Sequence, residues 1–283
     1  MNREAGQPEH SELTLRPLPR ILSRWEGPVT GRLRYGIALD TETTGKAFQT
    51  NKIIELSAQK FRFDEAGRIH DVYPAETWLE DPEEPLSPEI VRITGLTDAV
   101  LHKRSIHEGP AYGMLTGADI LIAHNSAFDR PFLDARLRLP KRRWACTMTD
   151  VDWAAHGFDG RTLGYLLMQI GWRYRAHRAE TDVCALMHLL AHELPTGETV
   201  LAELMRRSGR TDWRLEAINA RFESAPRFRD RGWRWSHHSR CFTIDMPDER
   251  SRDAEIEWAV HVGYHHRGRP AVTPITALER FRP

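Results

Sequence analysis

From Arg34 the chain begins to alternate: Tyr35, Ile37 and Leu39 fall on one side, Gly36, Ala38 and Asp40 on the other. That period of two predicts a strand. Residues 52–63 and 70–79 predict two more strands, joined by a turn at Asp64-Glu65-Ala66-Gly67. A Pro- and acid-rich loop over residues 80–88 and a short helical stretch lead to Ile93-Thr94-Gly95-Leu96-Thr97. Ile120-Leu121-Ile122-Ala123 is apolar throughout and short, as expected of a buried central strand, and a helix follows through Phe128, Phe132 and Leu133. Residues 144–147 predict a last strand. Leu163, Leu166, Leu167 and Ile170 are spaced for a helix that stops near Gly171. Val183, Leu186, Met187 and Leu190 line one face of another, over residues 179–192. Three strands, then helices alternating with short strands, predict an α/β domain on a mixed sheet.

Either side of this region the pattern changes. Residues 1–32 are polar and carry Pro8, Pro17, Pro19 and Pro28, which predicts a loose, flexible N-terminal arm. After about Pro195 a separate aromatic group appears, Phe228, Trp233, Trp235 and Phe242. Helices are expected near 199–208 and 213–222, strands near 233–235 and 240–245, and a helix from Asp253. The expected division is therefore an arm at 1–32, an α/β domain at 33–195, and a helical linker with a small α+β domain at 196–283. No internal repeat is present.

Composition narrows the class. The chain of 283 residues is 40% hydrophobic and 28% charged, which suits a soluble globular protein. No apolar run is long enough for a bilayer, and no secretory leader is recognisable. Cys146, Cys184 and Cys241 stand far apart, without zinc-site spacing, so reduced thiols and a cytoplasmic location are expected. Net charge is formally zero but uneven: from Thr199 onward 16 Arg stand against 12 Asp and Glu. A basic tail of this kind either holds a polyanion or reflects ordinary surface variation. Arg and Trp interleaved in Arg231-Gly232-Trp233-Arg234-Trp235 could stack bases and bind phosphates, or form a small core with a basic rim.

Three segments carry candidate chemistry. In Leu39-Asp40-Thr41-Glu42-Thr43-Thr44-Gly45, Asp40 and Glu42 share one face at a strand end, opposite Ile37 and Leu39. Adjacent carboxylates repel unless a proton or cation lies between them, and a hard divalent ion suits oxygen ligands; two solvent-facing acids are the plain alternative. In His124-Asn125-Ser126-Ala127-Phe128-Asp129, Ser126 and Asp129 have the spacing of a capping box, and with Pro131 in the first turn Asp129 could itself be the cap. In His177-Arg178-Ala179-Glu180-Thr181-Asp182, Asp182 falls beside Val183 and Leu186, where a carboxylate is costly unless paired or bound to metal. His177 precedes the helix on a loop, and Glu180 reads as a solvent-facing acid suited to the helix dipole.

Taken together, Asp-x-Glu-Thr, then His-Asn-x-x-Phe-Asp, then His-x-x-x-x-Asp resemble in order and context the motifs of the DEDDh 3′→5′ exonucleases, the family of the proofreading epsilon subunit of bacterial DNA polymerase III. The resemblance covers residues 34–192. Lys52-Ile53-Ile54-Glu55-Leu56 is like the family's second strand, and Thr94-Gly95-Leu96-Thr97 is like its His-Gly-Ile-Thr turn with Thr94 in place of the histidine. The resemblance implies a ribonuclease-H-like fold with a five-stranded mixed sheet flanked by helices. It implies two Mg²⁺ or Mn²⁺ ions, with Asp40 bridging, Glu42 and Asp182 on the first and Asp129 supporting the second through water. His177 would be the general base, and Thr43, Thr44, His124, Asn125 and Phe128 would meet the terminal nucleotide. The implied activity is hydrolysis from the 3′ end of DNA, single-stranded by preference, in proofreading, repair or end-trimming. Two other readings stand beside it: an RNA trimmer of the same fold, and a silent nucleic-acid-binding or polymerase-tethering protein. No clamp-binding peptide is recognisable, so a polymerase partner has no support from the residues themselves.

Overall fold

The computed structural model describes residues 14–282. The chain enters along β1 (Arg16–Pro17) and then forms three long strands, β2 (Arg34–Thr43), β3 (Ile53–Phe63) and β4 (Ile69–Leu79). Helices α1 (Pro88–Thr94), α2 (Asp98–Leu101) and α3 (Glu108–Thr116) lead to β5 (Ile120–Ala123), α4 (Ser126–Leu137) and β6 (Trp144–Cys146). After these come α5 (Leu163–Gln169), β7 (Trp172–Arg173), α6 (Ala179–Ala191) and α7 (Val200–Ser208). The main sheet has the expected five strands, in the order β4-β3-β2-β5-β6. β2, β3 and β4 are antiparallel; β5 and β6 run parallel to β2.

Alternation in β2 sorts the two cores. Ile37 and Leu39 pack with Phe132, Leu133 and Leu115 on the face covered by α3 and α4. Ala38 packs with Val183, Leu186, Leu190 and Leu166 on the face covered by α5 and α6. Val200, Leu201 and Leu204 of α7 belong to that second core, so the first unit's apolar packing runs past residue 195. Gly67 in the β3–β4 turn has φ of 71°, and its carbonyl accepts a bond from Thr199 Oγ1; a side chain there would strike the α7 backbone.

Residues 14–32 depart from the expected loose arm. β1 pairs parallel to β7, the Pro19 carbonyl accepts from His188, and Leu18 and Leu22 pack on the core. Pro17 removes no donor from this pairing, because the bonds to the β7 strand come from the N–H groups of Arg16 and Leu18 on either side of it. The rest of the expected arm lies outside the described residues.

The second unit contains β8 (Asp212–Glu216), α8 (Ala225–Asp230), β9 (Arg234–Ser236), β10 (Cys241–Met246), α9 (Glu249–Trp258) and β11 (Ala271–Ile275). Its sheet order is β11-β8-β10-β9. Where a helix was expected over 213–222, β8 is a central strand: Trp213, Leu215 and Ala217 point into the small core, and pairing on both edges outweighs local helix propensity. The Arg/Trp cluster splits. Trp233 is buried and donates to Glu255, whereas Trp235 is 51% exposed. The chain then returns to the first unit. Arg130 donates to the carbonyls of Arg280 and Leu278, Phe281 packs beside Phe132's core, and Arg280 donates to Asp212 and to the carbonyls of Arg207, in α7, and Arg210, just after it.

Candidate active site

The site forms where the sheet parts. Pairing of β2 with β5 ends at Ala38↔Ile122, so residues 39–43 of β2 remain paired only with β3. The opening lies at the carboxyl ends of β2 and β5, where the strand order reverses, the usual ligand position in an open α/β sheet. Asp40 and Glu42 project there toward the α6 face, and the N-terminal turn of α6 brings in Asp182. Ligand oxygens of these three residues lie within 4.8 Å of one another.

Asp129 arrives from the other face of the sheet. Its Oδ1 accepts from Thr41 N–H at 3.0 Å and Thr41 Oγ1 at 2.8 Å. Thr41 sits between Asp40 and Glu42 and points the opposite way, so one strand segment presents two acids and anchors a third. Asp129 is therefore neither the helix cap nor half of a capping box. Helix α4 starts at Ser126, with Asn125 as the cap residue at φ of 86°, and Ser126 Oγ bonds the carbonyls of Ala123 and Ala145.

Asp182 caps its own helix backwards. Its Oδ2 accepts from the N–H groups of His177 and Arg178, and its Oδ1 from the Tyr174 hydroxyl at 2.8 Å. These bonds hold His177 at φ of 70°, a left-handed conformation that a non-glycine residue occupies only under constraint. The His177 side chain itself is exposed.

Crowding shows in the ionisation of the acids. Burial, then the charges of Asp129, Asp182, Glu42 and Glu55, hold Asp40 well above the ordinary carboxylate range. Burial, followed by Asp182, pushes Glu42 up to about 8. Asp129 is raised to about 7 by burial, although Thr41 opposes this, and burial also raises Asp182. Carboxylates that resist ionising at neutral pH, in a cluster whose donors are all hard oxygens, suit a divalent cation such as Mg²⁺ or Mn²⁺. The donor set fits: Asp40, Glu42 and Asp182 could hold one ion directly, with Asp129 close behind.

Glu55 and Arg178 are structural parts of the site that the sequence reading left without a role. Glu55 stands directly opposite Glu42 in the β2–β3 register and is fully buried. Arg178 grips it with Nε and Nη2, and the Ala179 N–H adds a further bond. Two glutamates opposite each other are unfavourable without such a partner. The signal in the chain was a lone acid inside an apolar strand, Ile53-Ile54-Glu55-Leu56. Replacing Arg178 with Ala leaves Glu55 buried with one backbone donor and should cost about 3 kcal/mol of stability, measured by denaturant unfolding. A loss below about 0.5 kcal/mol, the size of a neutral surface change, would contradict this account.

The remaining candidates separate. Thr43 is buried and donates to the Gly45 carbonyl, and Thr44 accepts from Lys52 N–H; both shape the loop after β2. Phe128, one residue before Asp129, lies half-buried against Phe132, its ring centroid 5.1 Å away. His124 uses both ring nitrogens within the protein. Nε2–H donates to the Arg161 carbonyl at 2.9 Å, which leaves Nδ1 to accept from Thr147 at 2.8 Å. Burial lowers it to about 4. As a neutral, fully engaged ring it has no free nitrogen, which leaves its carbon edge and ring face for the expected contact with a nucleotide. Thr94, in the turn that resembles His-Gly-Ile-Thr, is buried and closes α1 by donating to the Ile90 carbonyl.

Comparison with known proteins bears on this geometry. A sequence profile described as exonuclease, RNase_T, matches residues 37–190. The DNA polymerase III subunit epsilon of Treponema pallidum is 30% identical over 162 residues, 54% of this chain and 73% of that protein. A PolC-type DNA polymerase III of Halalkalibacterium halodurans is 37% identical over 103 residues, 35% of this chain but 7% of the polymerase, so the chain spans only a small part of it. Among solved structures, exonuclease X bound to 5′-overhanging duplex DNA is 19% identical with a TM-score of 0.41, covering 59% of this chain and 99% of that one. An exonuclease I–ssDNA complex of E. coli with bound zinc is 16% identical with a TM-score of 0.47, covering 64% and 48%. Structural likeness at that level carries no functional weight.

Proposed function

Given that this chain belongs to the RNase_T family of exonucleases, we propose that it hydrolyses nucleic acid from the 3′ end, with DNA as the substrate and divalent metal as the cofactor. The observation that carries the reading is the convergence of Asp40, Glu42 and Asp182 within 4.8 Å, with Asp129 buried beside them. In this proposal Asp40, Glu42 and Asp182 bind Mg²⁺ or Mn²⁺, and Asp129 supports a second ion. When bound, such ions offset the clustered negative charge and polarise the scissile phosphate and its attacking water. His177, exposed on the loop before α6, takes the proton from that water. Asp182 orients this loop through the two N–H groups it accepts from, so one residue serves both the cation and the base. Phe128, half-buried beside Asp129 in the chain, offers a ring face to the terminal base, and the Thr43–Thr44 loop follows the two acids of β2.

The deciding experiment is a digestion time course on matched 3′- and 5′-labelled single strands of DNA and RNA, with Mg²⁺, Mn²⁺ or chelator. The expected result is stepwise shortening from the 3′ end of DNA that stops in chelator. Faster trimming of RNA would favour the ribonuclease reading. Full activity of a demonstrably metal-free sample would remove the cation from the mechanism.

The raised carboxyl pKa values set a second test. A carboxyl raised on folding is protonated in the native chain while the unfolded chain has already lost its proton. Without cation, stability contributed by Glu42 and Asp129 is present below the unfolded value near 4 and is lost as pH rises toward about 7 to 8. Bound Mg²⁺ or Mn²⁺ reverses that loss. The rise in Tm on adding cation should therefore be larger at pH 8 than at pH 5, read by differential scanning calorimetry. Equal rises at both values would argue against cation binding by these acids.

A further inference from the structure

The second unit contains a cleft of about 500 Å³ with no acidic lining residue. Phe242 forms its floor. Phe228 stacks beneath at 9° with centroids 5.7 Å apart, and Trp235 meets Phe242 edge-on at 5.3 Å. Phe222 and Trp235 stand at the rim, 90% and 51% exposed. Large apolar rings are normally buried, and Phe222 is the most exposed large apolar side chain among the described residues. Arg221, Arg229 and Arg240 line the same cleft. In this unit Arg214, Arg231 and Arg252 each pair with a carboxylate, while Arg227, Arg234, Arg250, Arg267 and Arg269 have none among the described residues, so what sets the cleft's arginines apart is that they share one acid-free lining with exposed rings. Arg221, Arg229 and Arg240 have no carboxylate partner among the described residues, although Arg229 lies over the Phe242 ring at 5.6 Å.

Unpaired guanidinium groups beside open aromatic faces match one ligand chemistry closely: phosphates for the cations and unpaired bases for the rings. A double helix offers phosphates but keeps its bases stacked inside, and would leave Phe222 idle. An acidic protein would satisfy the arginines but not explain two rings held out at the rim. We propose that this cleft is a second, non-catalytic site that holds single-stranded nucleic acid, with bases on Phe222 and Trp235 and phosphates on Arg221, Arg229 and Arg240. The proposal rests on the nucleic-acid reading of the carboxylate site. It assigns the second unit to retention of the strand being shortened, since none of the four clustered acids nor His177 comes from it.

The test uses the full chain in chelator, titrated with a long fluorescent oligothymidylate or with a duplex of equal length. Phe222→Ala removes an exposed ring and should leave Tm unchanged. It is expected to weaken single-strand binding by roughly 5- to 150-fold, the usual range for one base-stacking ring, while duplex binding stays as it was. Replacing Arg221, Arg229 and Arg240 together with Gln should reduce the salt slope by roughly two. With cation restored, hydrolysis of the p-nitrophenyl ester of thymidine 5′-monophosphate, too short to reach the cleft, should match wild type in both variants. Unchanged single-strand affinity in both variants, with wild-type binding intact, would overturn this inference while leaving the catalytic proposal standing. Equal losses on single strand and duplex, or competition by polyglutamate as strong as by oligothymidylate, would overturn the base-stacking role. A wild-type chain that binds and cuts no nucleic acid would instead overturn the proposed function.

Discussion

Replacing Asp40 with Asn is expected to lower turnover by roughly 10⁴-fold, the several kcal/mol of charge stabilisation that bound cations contribute to phosphoryl chemistry. The substitution keeps the size of the side chain and removes its charge. Asp40 is the acid on which the others converge: Asp129, Asp182, Glu42 and Glu55 all raise it. It is thus a carboxylate whose charge a bound cation would offset together with that of its neighbours. Calorimetric titration with Mn²⁺ should show the loss of binding directly. Stability provides an internal control, because removing one charge from a crowded cluster relieves repulsion. In chelator at pH 8 the variant should melt at or above the wild-type Tm. Lost activity together with a lowered Tm would indicate damage to the fold, and near-wild-type turnover would remove Asp40 from the mechanism.

His177→Ala should have the second-largest effect and a different character. Loss of a general base typically costs about 10²–10⁴-fold in rate. The backbone N–H of residue 177, which Asp182 accepts at 2.8 Å, survives the substitution, so the loop and the cation site should persist. Cation affinity and oligonucleotide affinity are therefore expected to match wild type. Residual activity should climb with pH, because hydroxide increasingly replaces the missing base. The measurement is a pH–rate profile of the variant and wild type beside a metal titration of each. Abolished metal binding, or wild-type rates at neutral pH, would show that His177 has another role.

Arg178→Ala provides a check between these two. Its expected effect is on stability first, with turnover falling because the His177–Arg178 turn loses its anchor on Glu55. Separating the stability loss from the kinetic loss would show whether that ion pair positions the loop or merely supports the fold.

Local patterns were enough to locate most elements. Period two in residues 34–40, the apolar run at 120–123 and the one-sided face of residues 179–192 depend only on nearby neighbours, and all three elements form where expected. The shared face of Asp40 and Glu42 is equally local, because a strand places alternate side chains together whatever it later packs against. Long-range packing decided the rest. Whether Asp129 caps a helix or joins the acids could not be read from its own segment, because the residue that holds it, Thr41, lies 88 positions earlier. Glu55 became part of the site only through a register that sets it against Glu42 and an arginine 123 positions away. His124 looked free until Thr147 and the Arg161 carbonyl filled both its nitrogens. Residues 213–217 read as helix until β10 and β11 paired on their two edges, and Trp233 and Trp235, two apart in the chain, went to core and to solvent. In each case a short stretch of chain offers a side chain or backbone group that several partners could satisfy. The choice among them depends on burial and hydrogen bonding supplied by segments distant in sequence, which only the assembled sheet and its covering helices bring within reach.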